Sequence, residues 1–187
     1  MQPREAAAIR VVVCGATSSS GSGTVAAVFA RALREAGVES GNMEIVDAGA
    51  TLDGIRTLSA AGAARHVVVC ATSTAALAAA FAMVKAIETR HPGARIEVLI
   101  TGKDQSRAHA AYLRVRAAAD WFLRRDVRFP RAFTDLDAVV ADESQPQETD
   151  TAIRPATRAD RTARMWAARL LAECSEGAWH DAAHSMN

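Results

Sequence analysis

The chain has 187 residues, half of them hydrophobic and 23% charged, with a formal net charge of +1. That length suffices for one compact domain with a substantial core. The near-neutral balance argues against broad electrostatic attraction to nucleic acid, which needs a concentrated basic surface.

Three widely spaced cysteines, Cys14, Cys70 and Cys174, form no CxxC pair and no Cys/His cluster. Neither a zinc site nor a disulfide framework is indicated, and a reducing cytoplasm fits. The opening "MQPREAAAIR" carries charges where a signal peptide has its apolar stretch, and no apolar run of ~18 residues occurs. A cytoplasmic protein that does not span a membrane is expected.

In chain order, residues 1–8 read as an N-terminal extension. Four apolar runs of strand length follow: "IRVVVC" (9–14), "MEIVD" (43–47), "HVVVCA" (66–71) and "RIEVLI" (95–100). Continuous apolar strands without alternation predict burial on both faces, as in a parallel sheet covered by helices. Helical patterns lie between and after them at 24–37, 51–63, 74–90 and 104–125. Gly37 marks a helix stop, Pro92-Gly93 a turn, and Ser73 or Thr74 and Asp104 are helix caps whose oxygens accept orphan amides. Repeated strand–helix alternation predicts a three-layer α/β domain with a mainly parallel sheet.

Beyond "VRFPRAF" (127–133) the pattern weakens. The polar stretch 141–161, with Pro146 and Pro155, reads as a surface excursion. A final helix is predicted at 158–174, so the domain spans 9–174 and 175–187 form a frayed tail.

Between the first strand and the first helix lies "GATSSSGSGT" (15–24). In a parallel α/β sheet ligands bind beyond the carboxyl ends of strands. A glycine-rich loop there turns its amides inward and sits on the positive end of a helix. A full phosphate-binding loop also supplies a lysine and a magnesium-binding hydroxyl. On the residues alone, a weak-anion cradle and a capped strand-to-helix turn remain alternatives.

The opening resembles the deviant Walker A loop of MinD/ParA-type ATPases, K-G-G-x-G-K-[S/T]. In that register Thr17 stands for the first lysine and Ser18 and Ser19 for two glycines. Ser20 fills the variable position, Gly21 is kept, and Ser22 stands for the second lysine. Gly23 takes the hydroxyl position, with Thr24 one residue later. The stretch 43–88 is similar to the MinD segment with D-x-G-A followed by T-x-P-E and a helix, with Asp47, Gly49, Thr72, Ala76, Phe81 and Lys85 in matching places. Residues 95–123 and "RPATRADRTARMWAARLLA" resemble the flagellar-number regulators FlhG/FleN.

The resemblance implies a shortened P-loop NTPase-like fold. It places the nucleotide site on Gly15, Thr17, Ser20, Gly21, Ser22, Gly23, Thr24 and Asp47. Both loop lysines are missing, the adenine-reading asparagine is Thr101, and the proline and acid of T-x-P-E are replaced. The family's additional strand and switch region has no room before "MEIVD". The N-terminal D-Q-A-x-x-L-R motif is absent from 1–10.

The implied protein is a non-hydrolysing regulator of bacterial flagellar number or placement. Its expected partners are the flagellar SRP-type GTPase or switch proteins, with no resident cofactor, no catalytic residue and no assigned metal. Alternatives are an atypical active ATPase using ATP and magnesium, and a MinD-like adaptor in secretion or cellulose synthesis. A nucleotide-independent homodimer stays open, because 73–81 is free of charge. Neither nucleic acid nor membrane docking is expected.

The remaining residues carry plainer expectations. Asp47 either serves a metal or is structural. Lys85 complements a helix dipole. Cys14 and Cys70 fill the core, as do Trp121 and Phe122. His66, His91, His109, His180 and His184 show no metal-ligand spacing. Met165, Trp166, Arg169 and Leu170 share neighbouring faces of the last helix.

Overall fold

The computed structural model describes residues 9–38, 43–51, 64–92, 94–124 and 160–172. Strands β1 (Ile9–Gly15), β2 (Met43–Asp47), β3 (Ala64–Ala71) and β4 (Arg95–Thr101) form one sheet in the order β2-β1-β3-β4. Every pairing is parallel, with Val12 opposite Val46 and His66, and Val68 opposite Val98. β1 therefore lies inside the sheet with a parallel neighbour on each side, as the valine run predicts.

Three helices follow their strands: α1 (Ser22–Glu35), α2 (Thr74–Arg90) and α3 (Gln105–Leu123). A fourth, α4, spans 160–172. Strand side chains alternate between faces, and here both alternating sets are apolar. Val12, Cys14, Val68, Cys70, Val98 and Ile100 pack under α2 and α3. Val11, Val13, Val67, Val69 and Leu99 pack under α1 and α4. Fully burying each such side chain stabilises the fold by roughly 1.5–3 kcal/mol. The architecture is thus three-layer α/β with a mainly parallel sheet, the P-loop NTPase-like class expected from the sequence.

Local chemistry sets the helix ends. Gly37 adopts φ +79°, its N–H donates to Arg34 O, and the Val38 N–H donates to Leu33 O. This paired closure satisfies carbonyls that the helix leaves open. Ser73 Oγ accepts the Ala76 amide at 3.3 Å, and Asp104 Oδ1 accepts those of Ser106 and Arg107.

α4 closes the α1 face of the sheet. Trp166 stacks on Phe29, with centroids 3.9 Å apart and planes inclined by 9°. Ala163, Ala167 and Leu170 are buried beside them, while Met165 is exposed. Glu97, the one acid within the β4 run "RIEVLI", accepts from Trp166 Nε1 at 3.1 Å and Arg169 Nη2 at 2.7 Å. Arg31–Asp160 and Glu35–Arg164 ion pairs join α1 to α4.

One core expectation fails. Trp121 and Phe122 are 78% and 71% exposed. The buried stripe of α3 runs through Ala108, Ala111, Tyr112, Val115 and Ala119. At ~100° per residue, Trp121 falls on the opposite side of the helix from that stripe. Phe122 is nearer in phase but lies past the last buried residue, its ring edge-on to Phe81 with centroids 6.0 Å apart. The expected helix at 51–63 beyond Thr51, the stretch 127–133, the polar excursion 141–161 up to residue 159, Cys174, His180, His184, the extension 1–8 and the tail 175–187 lie outside the described residues.

Candidate functional site

The loop 15–24 leaves the carboxyl end of the central strand and opens α1. Its base is pinned on both neighbours. The Gly15 N–H donates to Gly49 O at 2.8 Å, beside β2, and the Ala16 N–H donates to Val69 O of β3 at 2.7 Å. A Cβ on Gly15 would stand 2.8 Å from the Thr17 carbonyl oxygen, so the tight exit from β1 requires glycine there.

The arch beyond is closed by hydroxyls. The Thr17 N–H donates to Ser20 Oγ at 2.9 Å, and the Ser20 N–H returns to Thr17 O at 3.0 Å. Thr17 Oγ1 lies 3.0 Å from Ser20 Oγ and 3.2 Å from Ser19 Oγ. Ser20 is buried, whereas Ser18 and Ser19 face solvent. Gly21 then takes the left-handed conformation, φ +74°, as N-cap of α1, and no side chain caps that helix. The first-turn amides of α1, at Ser22, Gly23 and Thr24, therefore meet no capping side chain, as in an anion-binding helix start.

β2 brings Asp47 to the same place. Its Oδ1 accepts the Gly49 N–H at 2.9 Å, fixing the turn after β2. Its Oδ2 lies 3.1 Å from where a Cβ on Gly23 would stand. The carboxylate thus abuts the start of α1, where a negative charge complements the helix dipole. Glycine at 23 permits this approach. A threonine there would push on Asp47.

All eight sequence-selected residues meet at this edge. Their electrostatics are unusual for phosphate: 15–24 contain no cation, and the charge beside them is the Asp47 carboxylate. Thr101, which the resemblance sets in place of the adenine-reading asparagine, is buried and donates through Oγ1 to Cys70 O at 3.3 Å, so its hydroxyl is used within the sheet. Thr72 reaches the same edge, its Cγ2 3.3 Å from the Cβ position of Gly102. Lys85 is exposed along α2 and is not part of this edge.

Neither buried cysteine adds reactivity. Burial, reinforced by the Asp47 charge, pushes the Cys14 thiol up to about 12, and burial pushes Cys70 up to about 12. Both stay protonated near neutrality, and the thiolate is the nucleophilic form. Among the described residues no group of three or more acidic, histidine or cysteine side chains could hold a metal. No helix among them is long and apolar enough to cross a membrane.

Two features escaped sequence reasoning. His66 in β3 and His91 after α2 stack with centroids 5.9 Å apart, although 25 positions separate them. Only the fold brings them together. Glu97 did leave a signal, since one carboxylate in an otherwise apolar strand needs a buried partner.

No protein-family model matches the chain, and no curated protein sequence matches it either. A solved structure does share the fold: a protein assigned to plasmid partition in Borrelia burgdorferi B31, crystallised with AMPPNP bound. It superposes with a TM-score of 0.52 over 70% of this chain and 88% of its own, at 8% identity. At that identity the likeness shows the fold alone.

Proposed function

We propose that this chain is a MinD/FlhG-like member of the P-loop fold that has given up nucleotide hydrolysis and acts by binding protein partners. The observation that supports it most is the hydroxyl-closed arch. Thr17, in the place of the partner-reaching lysine, spends its hydroxyl and amide on Ser19 and Ser20. Ser22, in the place of the phosphate lysine, is too short to replace a compact cation.

The residues present do not fit a magnesium triphosphate. The loop offers amides without charge, and Gly23 has no hydroxyl to offer a metal while Asp47 presses against it. No hydrolytic step is assigned to the site. The finer reading, a regulator of flagellar number or placement with an SRP-type GTPase or switch protein as partner, rests on the sequence resemblance. Reconstitution with those purified partners tests it, and lack of any complex would favour an adaptor in secretion or cellulose synthesis.

Calorimetric titration with ATP and magnesium tests the loop. No saturable binding is expected up to millimolar nucleotide. Micromolar affinity, equivalent to about 8 kcal/mol, would overturn the proposal. Ser22→Lys is expected to create measurable phosphate binding, because the αL turn at Gly21 and the helix start behind it are already in place.

A second reading is favoured by Asp47, which stands against the first turn of α1 as a metal- or water-positioning acid would. It makes the chain an atypical ATPase whose missing lysine comes from a partner subunit. ATP-dependent association in light scattering would support that reading, and identical mass with and without ATP would remove it.

A further inference from the structure

α3 has two apolar sides, and only one is used by the core. Ala108, Ala111, Val115 and Ala119 face the sheet. On the solvent side Ala110, Leu113, Ala117 and Trp121 are all exposed. Their spacings of three, four and four draw a second straight stripe along the helix. A helix with a single buried face has no physical need of it. Trp121 and Leu113 are two of the four exposed large hydrophobic side chains among the described residues.

The charge beside this stripe is positive. Arg114 lies next to Leu113 and Arg124 follows Trp121, both exposed, with Asp120 the single exposed acid between them. Arg124 is itself the left-handed C-cap, φ +53°, so its place at the stripe's end is fixed by the helix stop. Exposed tryptophan and arginine are the residue types in which protein-binding hot spots are enriched.

We propose that the outer face of α3 is a docking surface for an acidic amphipathic helix of a protein partner. The partner's apolar residues would lie along Leu113, Ala117 and Trp121, and its carboxylates would pair with Arg114 and Arg124. Charge decides the occupant. A second copy packed through the same face would bring two arginines and one acid, Asp120, to an identical set, so two faces of like net charge would meet, which opposes association. The near-zero net charge of the chain does not supply the broad field that holds a polyanion such as nucleic acid. This surface lies on α3, away from the loop 15–24, and the proposal is independent of whether that loop binds nucleotide.

The test uses the full chain and two synthetic helical peptides with one leucine stripe at 3/4 spacing, flanked by glutamate in one and by lysine in the other. Fluorescence anisotropy of the labelled peptides gives both affinities. The glutamate peptide is expected to bind saturably and at least about tenfold more tightly than its lysine twin. Trp121→Ala is expected to weaken it about tenfold or more, and Arg114→Glu to abolish the preference for acid. Both changes are at exposed positions, and unchanged thermal melts verify the fold.

Equal binding of the two peptides, absence of saturable binding, or an unchanged affinity in Trp121→Ala would overturn the proposal. So would binding of the chain to anionic phosphatidylglycerol vesicles or to duplex DNA that Trp121→Ala removes while the glutamate peptide stays unbound. A homodimer in light scattering that Trp121→Ala dissolves would overturn it in favour of a second copy.

Discussion

Acidification is expected to weaken this fold through one histidine. His66 is 1% exposed, in the middle layer of the sheet, opposite Val12 and Ile96. Burial, and then the charge of the neighbouring His91, lowers its pKa from the ordinary 6.5 to about 4. A lowered folded-state pKa means that the unfolded chain takes the proton first as pH falls. The stabilising contribution is therefore complete above 6.5, lost progressively between 6.5 and about 4, and gone below. At ~1.4 kcal/mol per pH unit the loss totals about 3 kcal/mol, a large share of the roughly 5–15 kcal/mol typical of a domain. The perturbation is His66→Leu, which keeps the volume and removes the titration. Urea unfolding followed by circular dichroism at pH 7.5 and 4.5 gives each protein's acid loss. Comparing the two losses cancels the carboxylates that both share. Wild type is expected to lose about 2–3 kcal/mol more than the variant. Equal losses would refute the assignment of acid sensitivity to His66.

Three further perturbations probe the loop and the clamp. Gly15→Ala drives a Cβ to 2.8 Å from a backbone oxygen and is expected to cost about 2 kcal/mol in thermal melts; a neutral effect would mean that the arch is looser than described. Asp47→Ala removes the Gly49 turn bond and the charge at the start of α1 and is expected to cost about 1 kcal/mol, with no effect on stability contradicting that role. Trp166→Ala opens a cavity against Phe29 and takes a donor from Glu97; a loss of about 3–5 kcal/mol is expected by chemical denaturation.

The strands were legible because a parallel sheet buried on both faces leaves no alternation to decode. "IRVVVC", "HVVVCA" and "RIEVLI" can serve no exposed surface, and each became a sheet strand within two residues of its expected bounds. Helix ends were legible where a side chain or a glycine does local work, as at Ser73, Asp104 and Gly37. The site was legible in place, because the strand-to-helix switch at Gly15 fixes where the loop must sit. Its internal wiring was not. That Thr17 would close on Ser20 depends on the loop's own backbone path, and that Asp47 would reach Gly23 depends on how β2 and β1 register. Trp121 and Phe122 misled because apolarity alone does not tell on which side of a helix, or how far past the sheet, a residue falls. The His66–His91 pair was invisible for the same reason, since it joins a strand to the end of a following helix.

The last helix shows how one buried carboxylate decides what a surface is for. Trp166 and Leu170 would suit an interfacial helix, as their spacing suggests, yet both are buried against the sheet. Moving them from the core to a lipid surface exchanges one apolar environment for another, so the transfer itself supplies little free energy. The polar contacts do not balance in that exchange. Glu97 is 3% exposed, and it accepts from Trp166 Nε1 and Arg169 Nη2, both on α4. Withdrawing the helix would strip both partners from Glu97 and bare the surrounding wall of Val11, Val13, Val67, Val69 and Leu99 to water. The Arg31–Asp160 and Glu35–Arg164 pairs add to the same side, each by little because they are partly exposed. The apolar face of α4 is accordingly committed to the domain.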